Sequence, residues 1–173
     1  MLRPWGSGRG LNMRNILKVM VGVTALISTA PVQAASCWST QAIEAAQVRD
    51  FETMLMVSAL RCRNTGVNFL NEYNDFIRAK RTALTQVNDD LRGHFEQALG
   101  AKAALNAYDG YVTSLANSYG AGAEGLDCSD MQSLTRAANA AAPHKAALVA
   151  LAQRAGADPR LPGAKCPLTM AAK

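Results

Sequence analysis

Four cysteines constrain this chain more than any of its other residues. Cys37, Cys62, Cys128 and Cys166 are even in number, widely spaced, and all lie beyond a stretch that reads as an export leader. Thiols in that setting oxidise in pairs, so the expectation is two disulfides and a fold that brings distant segments together. The leader is residues 1–34. Arg3, Arg9, Arg14 and Lys18 make a positive region, Val19 to Ala30 is an uncharged and mostly apolar run, and Pro31 breaks it. Val32-Gln33-Ala34 then places small residues for cleavage before Ala35. Met13 offers a tidier start to the same signal. The apolar run is shorter than the roughly 20 residues that span a bilayer, which argues against a membrane anchor. The expected compartment is the periplasm or the exterior, with the mature domain covering residues 35–173.

Cleavage also changes the electrostatics. The full chain has 18 Lys+Arg against 13 Asp+Glu, a formal +5. Four of those cations and no acid belong to the leader, so the mature chain carries a formal +1. Nucleic-acid binding needs a patch that displaces counterions from several phosphates. The densest basic run, Arg78, Lys80 and Arg81, reads instead as a solvated helix face.

The cysteine spacing excludes other chemistry. There is no CxxC for thioredoxin-like exchange and no CxxCH for covalent haem, and structural zinc sites bring ligands closer in sequence than these. A minor alternative is a lipoprotein anchored through Cys37, since Ala34-Ala35-Ser36 loosely resembles a lipobox; it would leave an odd cysteine.

After Ser39 the apolar period is helical almost throughout. A first helix runs from a Ser39 or Thr40 cap to about Arg63, burying Val48, Phe51, Leu55, Ala59 and Cys62. A second runs from near Val67 to Gly100, with Leu70, Tyr73, Ile77, Leu84, Val87, Leu91 and Phe95 on one line. Lys80 falls on that line, with its stem expected on the core and its ammonium in water. A third, about Ala101 to Tyr119, faces inward through Leu105, Tyr108, Val112, Leu115 and Tyr119. Gly120 to Gly125 is loop, and Ser129 with Gln132 matches a capping box. The fourth region extends to Ala155, interrupted at Pro143, which either kinks it or opens a new segment at His144. The tail from about residue 157 is irregular, held mainly by Cys166.

The expected fold is all-α, an up-down bundle of about four helices with two disulfides. Cys37 and Cys62 bracket the first helix and so stand roughly 35 Å apart at 1.5 Å per residue. Disulfides tolerate about 7 Å between alpha carbons. Alternating helix ends then pair Cys62 with Cys128 and Cys37 with Cys166.

Catalytic signatures are missing: no HExxH, no GxSxG, no GxxxxGK[ST], no GxGxxG with a strand before it. No catalytic, cofactor-binding or metal residue is assigned. His94 reads as a half-buried or surface residue, and His144 as a turn or helix-start residue. Glu44, Asp50, Glu52, Glu72 and Asp75 have the spacing of solvated helix faces rather than of an acid–base pair. Met54 or Met56 with His144 imitates the haem ligands of a cytochrome b562-type bundle, but methionine more often fills core. The aromatics from Phe51 to Tyr119 read as core before they read as a ligand pocket.

The segments Cys37-Trp38-Ser39, Ala46 to Cys62, Tyr73 to Phe76 and Tyr108 to Gly120 resemble a family of short exported four-cysteine proteins of sphingomonad-type alphaproteobacteria. The likeness covers most of the mature chain and implies a shared scaffold, with no activity to carry over. Some members bear an S-adenosylhomocysteine hydrolase label. That enzyme resembles a large Rossmann protein, and this chain has neither the strands nor the dinucleotide fingerprint. The sequence therefore points to a non-enzymatic structural or protein-interaction module of the cell envelope. The alternatives are a binder of an apolar small molecule or lipid between the helices, and an enzyme of unrecognised type.

Overall fold

The computed structural model describes residues 37–167. The expected leader and cleavage site, and the last six residues, lie outside these. The described residues are all-helical, with no strand among them, and fold as α1 (Thr40–Cys62), α2 (Leu70–Ala79), α3 (Arg81–Leu99), α4 (Ala101–Ser118), α5 (Cys128–Ala140) and α6 (Lys145–Arg154).

α1 is the axis of the fold. Ser39 caps it by accepting the Ala42 N–H through its side chain. It packs against each of the other five helices. All five residues of its expected stripe are buried, and so are residues well off that stripe: Ala42, Ala45, Ala46, Asp50, Glu52 and Thr53. Small residues on several faces let neighbours approach from every side. From Ala42 to Ala59 no residue of α1 is exposed, whatever its charges suggest; exposure is confined to its two ends.

Six helices replace the expected four because two long segments are broken. The segment from Val67 to Gly100 is interrupted at Lys80, whose backbone (φ −107°, ψ 13°) is not helical. Lys80 is 4% exposed, not solvated at its tip as the sequence suggests. Its Nζ donates to the Asn139 carbonyl at 2.9 Å and to that of Ala141, at the C-terminus of α5. Helix C-termini carry unpaired carbonyls and partial negative charge, so a lysine nitrogen is well placed there. The second break spans Ala141 to His144, after which His144 caps α6, its Nδ1 accepting the Ala147 N–H. Two smaller expectations also shift. The cap of α5 is Asp127 in a reciprocal box with Asp130, two residues before Ser129. The inward face of α4 runs through Ala104, Tyr111 and Leu115, leaving Leu105 about half exposed.

Both disulfides are present: Cys62–Cys128, with alpha carbons 5.9 Å apart, and Cys37–Cys166, 4.8 Å apart. No free cysteine is left among the described residues. The tail is held by more than its cysteine. Trp38 donates its backbone N–H to Ala164 (2.8 Å) and its indole N–H to Pro162 (2.8 Å), and Cys166 N–H returns to the Trp38 carbonyl (2.9 Å). The Trp38 ring is 1% exposed, stacked on His94 at 3.9 Å and flanked by Phe95 and Tyr111 at 5.9 Å each.

Candidate functional site

The five carboxylates that the sequence assigned to solvated helix faces separate into distinct environments. Asp75 remains exposed beside Arg78. Glu72 meets Arg136 and Gln132, both at 3.0 Å. Glu44 lies 3.7 Å from Lys145. Asp50 and Glu52 are buried. Two residues along a helix is about 200° of rotation, so these two carboxylates point to opposite sides of α1 and do not form an acid–base pair. Glu52 is paired with Arg49 and accepts the Tyr73 hydroxyl at 2.9 Å. Burial, together with the Glu52 charge, pushes the Tyr73 hydroxyl far above its ordinary value, so it serves as a fixed donor.

Two of the five border hollows: half-buried Glu44 edges a wide one of about 680 Å³ with His144 and Lys145, and buried Asp50 opens onto a narrower cleft. Four elements build this cleft: α1, α4, the loop after α4 with Gly122 and Glu124, and the tail. α1 brings Asp50 out under α4, and α4 contributes Tyr111, Leu115, Ser118 and its C-terminal Tyr119. The tail crosses above with Asp158 and Arg160. The tail reaches that position through the end of α6. Gly156 adopts φ 75°, Gly156 N–H bonds to Gln153 and Ala157 N–H bonds to Ala152, a Schellman turn that sends the chain back over the bundle. The cleft holds about 360 Å³.

Its electrostatics centre on Asp50, 3% exposed. Burial raises its carboxyl above the ordinary carboxylate value; the Tyr119 hydroxyl bond (2.8 Å) pulls the other way, the Asp158 charge adds to the rise, and the Asp158 backbone N–H opposes it. Tyr119 and Tyr111 are pushed far above the ordinary phenol value, by burial first and the Asp50 charge second, so both hydroxyls keep their protons. Tyr111 is 8% exposed, and its hydroxyl has no hydrogen-bond partner in the protein.

An apolar groove adjoins this cleft. Phe95, Leu99, Ala107, Tyr111, Leu161 and Pro162 line about 470 Å³ between the end of α3, the middle of α4 and the tail, with Leu99 54% exposed at its rim. Tyr111, Ser114 and Arg160 border both the groove and the cleft, so the two are neighbours across these three residues. A further hollow of about 380 Å³ lies beside the Cys37–Cys166 bond, with Asp89, Asp90 and His94 in its wall. Burial lowers the His94 pKa, and its ring is packed on Trp38. Asp90 is already held by Lys145 and Gln41, both at 2.7 Å. No group of His, Cys, Asp and Glu among the described residues is arranged to hold a metal ion. Met54 is core and His144 is a helix cap, so neither is free to serve as an axial ligand.

Compared with protein-family models, curated proteins and solved structures, the chain matches none.

The sequence raised Asp50 among five carboxylates and Phe95, Tyr111 and Tyr119 among aromatics that could line a pocket, and favoured the plainer reading of each; Leu99, Asp158 and Arg160 it did not single out. The burial of Asp50 has one legible trace: α1 has alanines on faces that also carry Asp50 and Glu52, a combination that marks a helix enclosed on all sides.

Proposed function

We propose that this protein is exported, loses residues 1–34, and works in the periplasm or outside the cell as a non-enzymatic binding module of the envelope. Two disulfides and the absence, among the described residues, of any helix long and apolar enough to cross a membrane support that compartment. We read the chain path as an up-down traverse in which α2 with α3, and α5 with α6, each make one leg. We also read the scaffold as the one shared by the short exported four-cysteine proteins its sequence resembles.

The observation that carries the binding role is the apolar groove between α3, α4 and the tail. Its volume lies within the roughly 300–1,000 Å³ common for ligand sites, and its walls are aliphatic and aromatic. The reading is of a rigid stapled body that receives an apolar group of its partner there. Native mass spectrometry on protein recovered from an exporting host should show a chain starting at Ala35 that carries an apolar ligand or partner. Leu99→Glu, at the exposed rim, should remove that ligand without altering the melting temperature. An intact leader would defeat the compartment, and a groove indifferent to Leu99→Glu would defeat the binding role.

The catalytic reading has one observation on its side, the raised pKa of Asp50 in a cleft. Against it, Tyr119, which bonds to Asp50, and Tyr111, which feels its charge, both have raised pKa values and do not exchange protons near neutrality.

A further inference from the structure

Groove and cleft together ask for a ligand with two different halves. The groove has apolar walls. The cleft presents three carboxylates, Asp50, Glu124 and Asp158, against one guanidinium, Arg160. Asp50 accepts the Tyr119 hydroxyl and is approached by the Asp158 backbone N–H, and a carboxylate has about four lone-pair positions, so acceptor capacity remains. Tyr111 borders both spaces, and its hydroxyl is buried, unpartnered by protein and subject to the Asp50 charge. A head group entering here meets spare acceptors, excess negative charge and two tyrosine rings. An anionic head would be repelled, and a neutral hydroxyl would leave the charge of Asp50 uncompensated.

We propose that the cleft and groove form one site for a soluble single-chain amphiphilic amine, its ammonium between Asp50 and Tyr111 and its apolar chain along Phe95, Leu99 and Leu161. Three N–H donors on a primary ammonium match the Asp50 carboxylate, the Tyr111 oxygen and the carboxylates at the rim, and a cation gains further from aromatic walls. The proposal rests on the groove being a binding site. It adds the chemistry of the head group.

The sign of the pH dependence follows from Asp50. Its neighbours in the cleft are Tyr111 and Tyr119 from α4, Asp158 and Arg160 from the tail, and Glu124 from the loop before α5. Two further cations of α1 border the site: Arg49, paired with Glu52 and acting on Tyr111, and Arg61, beside Gly122. Because burial raises the Asp50 pKa, acidification neutralises it earlier than an ordinary carboxylate. A bound ammonium favours the charged form and so opposes that protonation. Amine affinity should therefore fall as pH falls through the raised pKa, while binding of an uncharged ligand of the same length should not change.

The test is calorimetric titration of the full mature chain at low salt with n-hexylamine, against 1-hexanol as the uncharged control. Hexylamine should bind at least about tenfold more tightly than hexanol, the factor expected of a charge-assisted hydrogen bond. Asp50→Asn should abolish that preference and Tyr111→Phe should reduce it severalfold, both with unchanged helical circular dichroism and with hexanol binding intact. Equal affinity for the two ligands, or an amine preference that survives both substitutions, overturns the head-group assignment and leaves the groove reading standing. Binding of neither ligand overturns both.

Discussion

The two ends of α1 carry the same covalent device in different surroundings. At its start, the Cys37–Cys166 bond is backed by Trp38, which makes three hydrogen bonds to the tail or to Cys166 and stacks on buried rings. At its end, the Cys62–Cys128 bond stands beside an exposed glycine-rich loop, with Arg61 reaching the Gly120 carbonyl and Asp127 capping α5. One end is closed by packing that a disulfide reinforces. The other is closed mainly by the disulfide. A crosslink acts chiefly on the unfolded chain, so the two bonds can be nearly equal in global stability while differing in what they hold locally.

The largest expected effect tests the packed end. Trp38→Ala should cost about 3–5 kcal/mol in urea unfolding, the usual range for a buried aromatic removed to alanine. A loss below 1 kcal/mol would mean that the bond, not the ring, closes that end.

Removing either disulfide by paired Cys→Ser substitution should cost about 2–4 kcal/mol. The sequence separations are 129 and 66, but the shorter loop lies inside the longer, so each removal frees a comparable length of chain. Amide exchange separates the two cases. Without Cys62–Cys128, protection should vanish between residues 119 and 128; without Cys37–Cys166, the amides of Ala164 and Cys166 should keep part of theirs. Equal local loss at both ends would erase the contrast.

Lys80→Met tests a tie that belongs to neither end. It leaves the carbonyls of Asn139 and Ala141 without their donor and should cost about 1–3 kcal/mol, with fraying at the C-terminus of α5.

The smallest effect concerns His94 at the packed end. Burial holds its folded pKa below the ordinary 6.5, so between those values the unfolded chain binds more protons than the folded one. Stability should therefore decline as pH falls from 6.5 toward the folded pKa, then stop depending on this group. His94→Gln should flatten that segment of the stability profile while leaving the Cys62–Cys128 end unchanged.

These contrasts also mark what the residues disclosed before any coordinates. Helical periodicity located the four long segments because their core positions recur every three or four residues, as in Leu84, Val87, Leu91 and Phe95. The reach of α1 bore on cysteine pairing because helix length is a fixed multiple of residue count. The break at Lys80 was hidden, since the apolar line continues on both sides of it and the partner carbonyls lie about sixty residues away. Trp38 was likewise a local residue with distant duties. Asp50 was misread for a global reason: on a helix with one dry face it would be wet, and only the count of neighbours around α1 makes it dry. The cleft it opens into depends on a tail that returns after Gly156 from the far end of the sequence, which no local pattern encodes.

The 23 residues of α1 also have a consequence in time. In a chain synthesised from its amino end, Cys37 and Cys62 emerge before either correct partner has been made. Synthesis proceeds at about 5–20 residues per second, whereas a helix of this length forms in about a microsecond. Once formed, α1 is a spacer that keeps the two early thiols out of bonding range, and the first thiol must wait for the last.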